Sequence, residues 1–117
     1  MDLSCMCPKY EQAAEMLGHR WTALILRALV DGPRRFSEIT CYVPHLSDRL
    51  LSERLQDLEK AQIVERRVVP QRPVVVEYTL TEKGADLRQV VEALQSWADR
   101  WVSAESTVPI GLKGQRR

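Results

Sequence analysis

No stretch of this sequence approaches the roughly 18 consecutive apolar residues that a membrane-spanning helix needs. The N-terminus, MDLSCMCPKY, has neither the basic start nor the apolar core of a secretory signal. The expectation is a cytoplasmic protein with no membrane partner. Cysteine is scarce: Cys5, Cys7 and Cys41 are three, an odd number without an export signal, which argues against a structural disulfide framework and makes reduced thiols the default. An excess of one charge is missing too. The net charge is +1, and residues 34–72 hold eight Lys or Arg against six acids, so only a shared face could make the positive groups count toward phosphate binding. No nucleophile, base and oxyanion constellation and no phosphate or cofactor cradle can be found, and His19 and His45 fall in expected turns. An enzyme is not expected, nor a cofactor. Internal repeats and low-complexity tracts are absent.

What remains is a 117-residue chain, 44% hydrophobic and 28% charged, which suits a single soluble domain with one core. Its most informative stretch is RFSEITCYVPHLSDRLLSERLQDLEK, residues 35–60. Pro44 lacks an N–H and disfavours helix in the residue before it, so a short helix over 37–42 must stop at the Val43-Pro44-His45-Leu46 break. Ser47 is then placed to cap a longer helix. On a 100° wheel Leu50, Leu51, Leu55 and Leu58 gather on one side, while Arg49, Ser52, Glu53, Gln56 and Lys60 gather on the other. Two helices across a tight turn, the second with a polar outer face, describe a helix-turn-helix whose second helix can read base edges in the DNA major groove. An ordinary amphipathic helical hairpin would carry the same pattern. Arg54 falls beside the leucines, where it could reach Asp57, Glu59 or a phosphate.

Upstream, Pro8 suits the first turn of a helix in which Tyr10, Ala13, Ala14 and Leu17 recur, and Gly18 ends it. The run WTALILRALV is apolar nearly all round and should be buried, closing at Asp31-Gly32-Pro33. Downstream the period changes. Over residues 63–80 valine dominates, and Val74, Val76, Tyr78 and Leu80 alternate with Val75, Glu77 and Thr79, which predicts a two-stranded hairpin. Its tip, Pro70-Gln71-Arg72-Pro73, lacks the Asn-Gly signature of a two-residue turn and should be longer. Arginines at 66, 67 and 72 make it a wing able to reach phosphates or the minor groove; a merely solvated hairpin is the plainer account. Thr81 caps an expected long helix over 82–104, where Leu87, Val90, Val91, Leu94, Trp97, Ala98 and Trp101 form a stripe. Such a stripe exceeds what a small domain can cover, so Trp97 and Trp101 are expected to anchor a partner subunit unless they fold back onto the first helices. The tail at 105–117 carries Pro109, two glycines and a basic end and should be mobile.

The order helix, helix, helix-turn-helix, two-stranded wing and C-terminal helix is a winged-helix arrangement, mainly α with a small antiparallel β-hairpin and extra N- and C-terminal helices. The segments CPKYEQAAEMLGHRWTALILRALVDGPRRFSEI, LSDRLLSERLQDLEKAQIVERRV and VEYTLTEKG resemble the HxlR-type bacterial transcriptional regulators, relatives of the MarR group. The likeness covers residues 7–101 and rests on a Cys7-Pro8 start, a Trp21-Thr22 helix, a Gly32-Pro33-x-x-Phe36 approach and a Tyr78-x-Leu80-Thr81-x-x-Gly84 exit from the wing. It implies a single domain over 1–104 that forms a homodimer through its N- and C-terminal helices and binds a two-fold symmetric double-stranded operator, most simply as a repressor. Two departures stand out. Gln62 occupies a place after the recognition helix where such proteins usually have Gly, so the left-handed cap must be made by a costlier residue or replaced. His19 replaces a second glycine in the turn before the second helix.

Under this resemblance Ser47, Arg49, Ser52, Glu53 and Gln56 would face DNA on the recognition helix, while Arg35, Lys60, Arg66, Arg67 and Arg72 hold its backbone. Tyr10, Leu87, Val91, Leu94, Trp97 and Trp101 would form the dimer interface. Some members of the family sense oxidants or electrophiles such as quinones through a cysteine before the first helix, the place of Cys7, where a helix N-terminus favours the thiolate. Cys7 could equally be a small buried apolar residue, Cys5 a resolving partner or a bystander, and Cys41 a core residue. Two rival functions remain: a metal-sensing repressor that uses Cys5 and Cys7 with a third ligand, and a winged-helix module that binds protein rather than DNA.

Overall fold

The structure, a computed structural model, describes residues 5–103. The tail expected at 105–117 and the last residue of the predicted C-terminal helix lie outside the described residues. Six helices and three strands follow in the order α1 (Pro8–Gly18), α2 (Thr22–Leu29), β1 (Arg34–Arg35), α3 (Phe36–Tyr42), α4 (Asp48–Lys60), β2 (Val64–Val69), β3 (Val75–Leu80), α5 (Glu82–Ala85) and α6 (Arg88–Trp101). No helix among these residues is long and apolar enough to cross a membrane.

The core forms where the apolar run of α2 meets the leucine face of α4. Ile25, Leu26 and Leu29 pack with Ile39 of α3 and with Leu51, Leu55 and Leu58 of α4, and Ile63 and Val64 close the side toward the sheet. Leu50, at the margin of the leucine face, is only half-buried. α1 buries no residue in the protomer and touches the core through Met16 and Leu17 at its C-terminal end.

The wing differs from the expected hairpin by one strand. β1 pairs antiparallel with β3, giving the order β1-β3-β2. Arg34 lies opposite Tyr78 and Arg35 opposite Glu77, and β2 places Arg66 opposite Tyr78 and Arg67 opposite Glu77 on the other edge. Directly opposed residues of antiparallel strands share a face. One face therefore carries the row Arg35, Glu77, Arg67, and the other the row Arg34, Tyr78, Arg66.

Both ends of α4 are closed by local chemistry. The Ser47 hydroxyl accepts from the Leu50 N–H at 3.1 Å, as the sequence predicts. At the other end the Ile63 N–H donates to the Leu58 carbonyl and the Gln62 N–H to the Glu59 carbonyl, each at 2.9 Å. That pair of bonds is a Schellman cap, and it requires a left-handed residue, which is Gln62 at φ 63°. The glycine usual at this place is thus replaced by a side chain that accepts the strained conformation. His19, by contrast, is extended at φ −63°, so the turn before α2 needs no glycine there.

The predicted single helix over 82–104 is two. α5 ends at Ala85, the turn tightens through a bond from the Leu87 N–H to the Gly84 carbonyl, and α6 runs only to Trp101. α5 fastens the end of α4: Lys83 Nζ donates to the Ala61 carbonyl at 2.8 Å and Thr81 Oγ1 to the Gln62 carbonyl at 2.6 Å. Gly84 makes this possible, because a Cβ there would lie 2.1 Å from the Ile63 carbonyl oxygen.

Candidate nucleic-acid interface

Capping and the buried leucines fix which side of α4 looks outward. Arg49, with its side chain 90% exposed, projects together with Glu53, Gln56 and Lys60, and Ser52 is half-buried at the margin. Arg49 Nε lies 3.4 Å from Glu53 Oε2, one turn further on. Ser47 is exposed, its oxygen engaged by the cap. These side chains form one polar surface at the base of the wing, a short helix's breadth of donors and acceptors of the kind that read base edges.

The flanking arginines are not gathered on one side. Arg35 and Arg67 share a sheet face with Glu77 between them, while Arg66 occupies the opposite face and Arg72 lies exposed in the turn between β2 and β3. Arg34, which sequence reasoning passed over, donates through Nε to the Ala28 carbonyl, and its guanidinium stacks 4.5 Å from the centre of the Tyr42 ring. It ties β1 to α2 through Ala28 and to the end of α3 through Tyr42. Arg54 resolves toward Asp57: Nη1 donates to Oδ2 at 3.1 Å.

Cys7 is the N-cap residue of α1, half-buried, with its carbonyl accepting the Glu11 N–H at 3.0 Å. Cys5 is exposed just before it. Cys41, expected in the core, is also exposed, because Ile39 and not Cys41 is the residue that α3 turns inward. Among the described residues no group of three or more His, Cys, Asp or Glu is gathered as a metal site requires.

The stripe on α6 divides. Val91 is buried and Leu87, at the N-cap of α6, packs partly buried against the same core within the protomer, so these two have less area left to offer a partner. Tyr10, Leu94, Trp97 and Trp101 remain 67%, 57%, 50% and 64% exposed. Beside them a largely apolar groove of about 240 Å³ runs between α2 and α6, lined by Leu17, Leu24, Val90, Leu94 and Ala98.

Comparison with known proteins agrees with this architecture. The family model described as HxlR-like helix-turn-helix matches residues 16–106. The HTH-type transcriptional regulator YodB of Bacillus subtilis is 52% identical over 103 residues, covering 88% of this chain and 92% of YodB. The reduced form of YodB superposes with a TM-score of 0.74 at 50% identity, covering 87% of this chain and all of that one. YodB has also been solved quinone-bound and diamide-treated. The redox regulator HypR in its reduced form superposes with a TM-score of 0.73 at 33% identity over 79% of this chain and 91% of that one. A MarR-family regulator of Porphyromonas gingivalis W83, at 20% identity and a TM-score of 0.78, shares the fold; it covers 87% of this chain and all of that one. With a capped, outward-facing α4 beside a three-stranded wing and relatives that are transcriptional regulators, the chain belongs to the HxlR-like helix-turn-helix family.

Proposed function

We propose that this helix-turn-helix transcriptional regulator acts as a homodimeric repressor of a two-fold symmetric operator, released when Cys7 reacts with an oxidant or an electrophile such as a quinone. The observation that carries the reading is the placement of Cys7 at the N-cap of α1, a helix with no buried residue in the protomer. Such a helix depends on a partner for its burial, and Tyr10 on α1 with Leu94, Trp97 and Trp101 on α6 supply the exposed apolar area. A change at Cys7 would then act on the spacing of two α4 helices, which a symmetric operator needs about 34 Å apart.

Arg49, Ser52, Gln56 and Glu53 read bases in this account, with Ser47 at the entry of the helix. Lys60, Arg35, Arg72 and one of Arg66 and Arg67 neutralise phosphates. Addition of the Cys7 thiol to a quinone forms a C–S bond and carries the thiol hydrogen to the ring, leaving a hydroquinone thioether with no external electron acceptor. An oxidant that accepts two electrons and two protons would instead join two thiols, for which this chain offers Cys5, Cys7 and Cys41 of either subunit.

The test is fluorescence anisotropy on a duplex from upstream of the protein's own gene, with scrambled competitor, before and after p-benzoquinone. Specific binding that quinone abolishes, and that Cys7→Ser renders insensitive, is the expected result. Release that persists in Cys7→Ser would remove the thiol from the mechanism, and binding indifferent to salt would replace DNA by a protein partner.

A further inference from the structure

The two arginines of β1 have different surroundings. Arg34 lies opposite Tyr78 and shares the sheet face whose Val64, Tyr78 and Leu80 pack against the core, whereas Arg35 is exposed on the other face. The Arg34 side chain accordingly turns into the protomer: Nε donates to the Ala28 carbonyl of α2, and the guanidinium lies 4.5 Å from the centre of the Tyr42 ring. Tyr42 is the last residue of α3. Val43 and Leu46, in the turn that follows, are buried, so Tyr42 and the start of α4 belong to one packed unit. A single residue thus has its backbone in the sheet, its Nε on α2 and its cation on the helix-turn-helix.

We propose that Arg34, seated on Tyr42, is the positioning residue that orients the wing relative to the recognition helix α4. The hairpin has few other means of orientation. None of residues 65–80 is buried, Val68 and Val74 are exposed, and the apolar contact with the core comes from Tyr78 and Leu80 at the base. Length then magnifies any error made there. Arg72 stands six residues from Tyr78, so a turn of about 10° at the base carries a tip about 20 Å away through about 3.5 Å, more than a charge-assisted hydrogen bond tolerates. Stacking on an aromatic face together with a bond from Nε holds a guanidinium in two directions at once, which a lysine does not reproduce. The consequence for DNA rests on the proposed contact of Arg72 with phosphate; the orientation itself does not.

The test compares amide residual dipolar couplings of α4 and of β2–β3 in weakly aligned full-length protein without DNA. In the unchanged protein and in Tyr42→Phe, which keeps the ring, one alignment frame is expected to fit both elements. In Arg34→Ala, Arg34→Lys and Tyr42→Ala the couplings of β2–β3 should depart from the frame of α4, while those of α2 and α3 keep it. A merely structural role would lower the urea midpoint and leave the frame of the folded molecules unchanged. Should Arg34→Ala not fold, Tyr42→Ala decides, since it removes a ring already 39% exposed. With DNA, Arg72→Ala is expected to reduce the slope of log affinity against log salt by about 1 in the unchanged protein and by much less in Arg34→Ala. Couplings of β2–β3 that stay in the frame of α4 in Arg34→Ala and Tyr42→Ala, or an undiminished Arg72 effect in Arg34→Ala, would overturn the assignment. Arg72→Ala without effect in the unchanged protein would instead remove the wing from the DNA interface, and the couplings would still decide the positioning.

Discussion

Arg49 and Glu53 stand one turn apart on the outer face of α4, with Nε of the first 3.4 Å from Oε2 of the second. An exposed i,i+4 pair of this kind contributes only about 0.3–0.5 kcal/mol to stability. Under the proposed base-reading role its consequence is for recognition, because a guanine edge would have to compete with the carboxylate for the guanidinium. Arg49→Ala is expected to weaken binding to the preferred sequence by about 1–3 kcal/mol and to relax preference at one position while the urea midpoint barely moves. Competition anisotropy against single-base operator variants checks this, and equal losses on every sequence would identify a phosphate contact. Glu53→Gln should raise affinity for unrelated DNA by removing a negative charge from the face proposed to meet the polyanion.

The split of the wing arginines between two sheet faces makes a prediction that a plain hairpin would not. Arg66 and Arg67 point to opposite sides, so Arg66→Ala and Arg67→Ala should differ, one reducing the slope of log affinity against log salt by about 1 and the other leaving it nearly unchanged. Arg72→Ala, in the turn, should weaken all sequences alike and reduce the slope by about 1 as well. Identical behaviour of the first two variants would deny that one face of the wing meets the DNA.

Trp97 and Trp101 lie exposed on α6 and contribute little to the protomer core. Replacing both by alanine should leave far-ultraviolet circular dichroism intact while light scattering falls from the mass of a dimer to that of one chain. A dimer that survives the double substitution would move the interface elsewhere.

Two backbone positions should respond in opposite directions. Gln62 holds the left-handed place of the Schellman cap, a conformation that disfavours side chains by about 1–2 kcal/mol. Gln62→Gly removes that strain but loosens the unfolded chain, for a net gain of about 0.5–1 kcal/mol in urea denaturation. Gly84→Ala should instead lose about 1–3 kcal/mol or more, since its Cβ would meet the Ile63 carbonyl at 2.1 Å. A neutral Gly84→Ala would mean that α5 can step away from the end of α4 without cost.

Much of the architecture was legible before any coordinates, because the signals that carry it are local. Pro44 and Ser47 mark the break and the cap of the helix-turn-helix, the leucines at 51, 55 and 58 mark its inner face, and alternation over 74–80 marks a strand. Each acts through the covalent geometry of its own turn or through a periodicity of a few residues. At Gln62, where the family resemblance sets a glycine, the sequence left a strained cap or a replaced one open, and the structure takes the first.

Other features depend on neighbours distant in the chain. The two-residue strand Arg34–Arg35 is too short to show a period and exists only because β3 offers its free edge, and that pairing sets which arginines share a face. Leu87 and Val91 read as one stripe with Trp97 and Trp101, yet packing against the core buries Val91, partly covers Leu87 and leaves the two tryptophans bare. Cys41 was expected in the core and is exposed, and the wheel placed Arg54 beside the leucines without choosing its partner, since a wheel gives the angle of a side chain about its own axis but not which helix stands opposite. Only packing determines that Ile39 faces inward in place of Cys41, and only the approach of α1 encloses Arg54 with one donor unmatched.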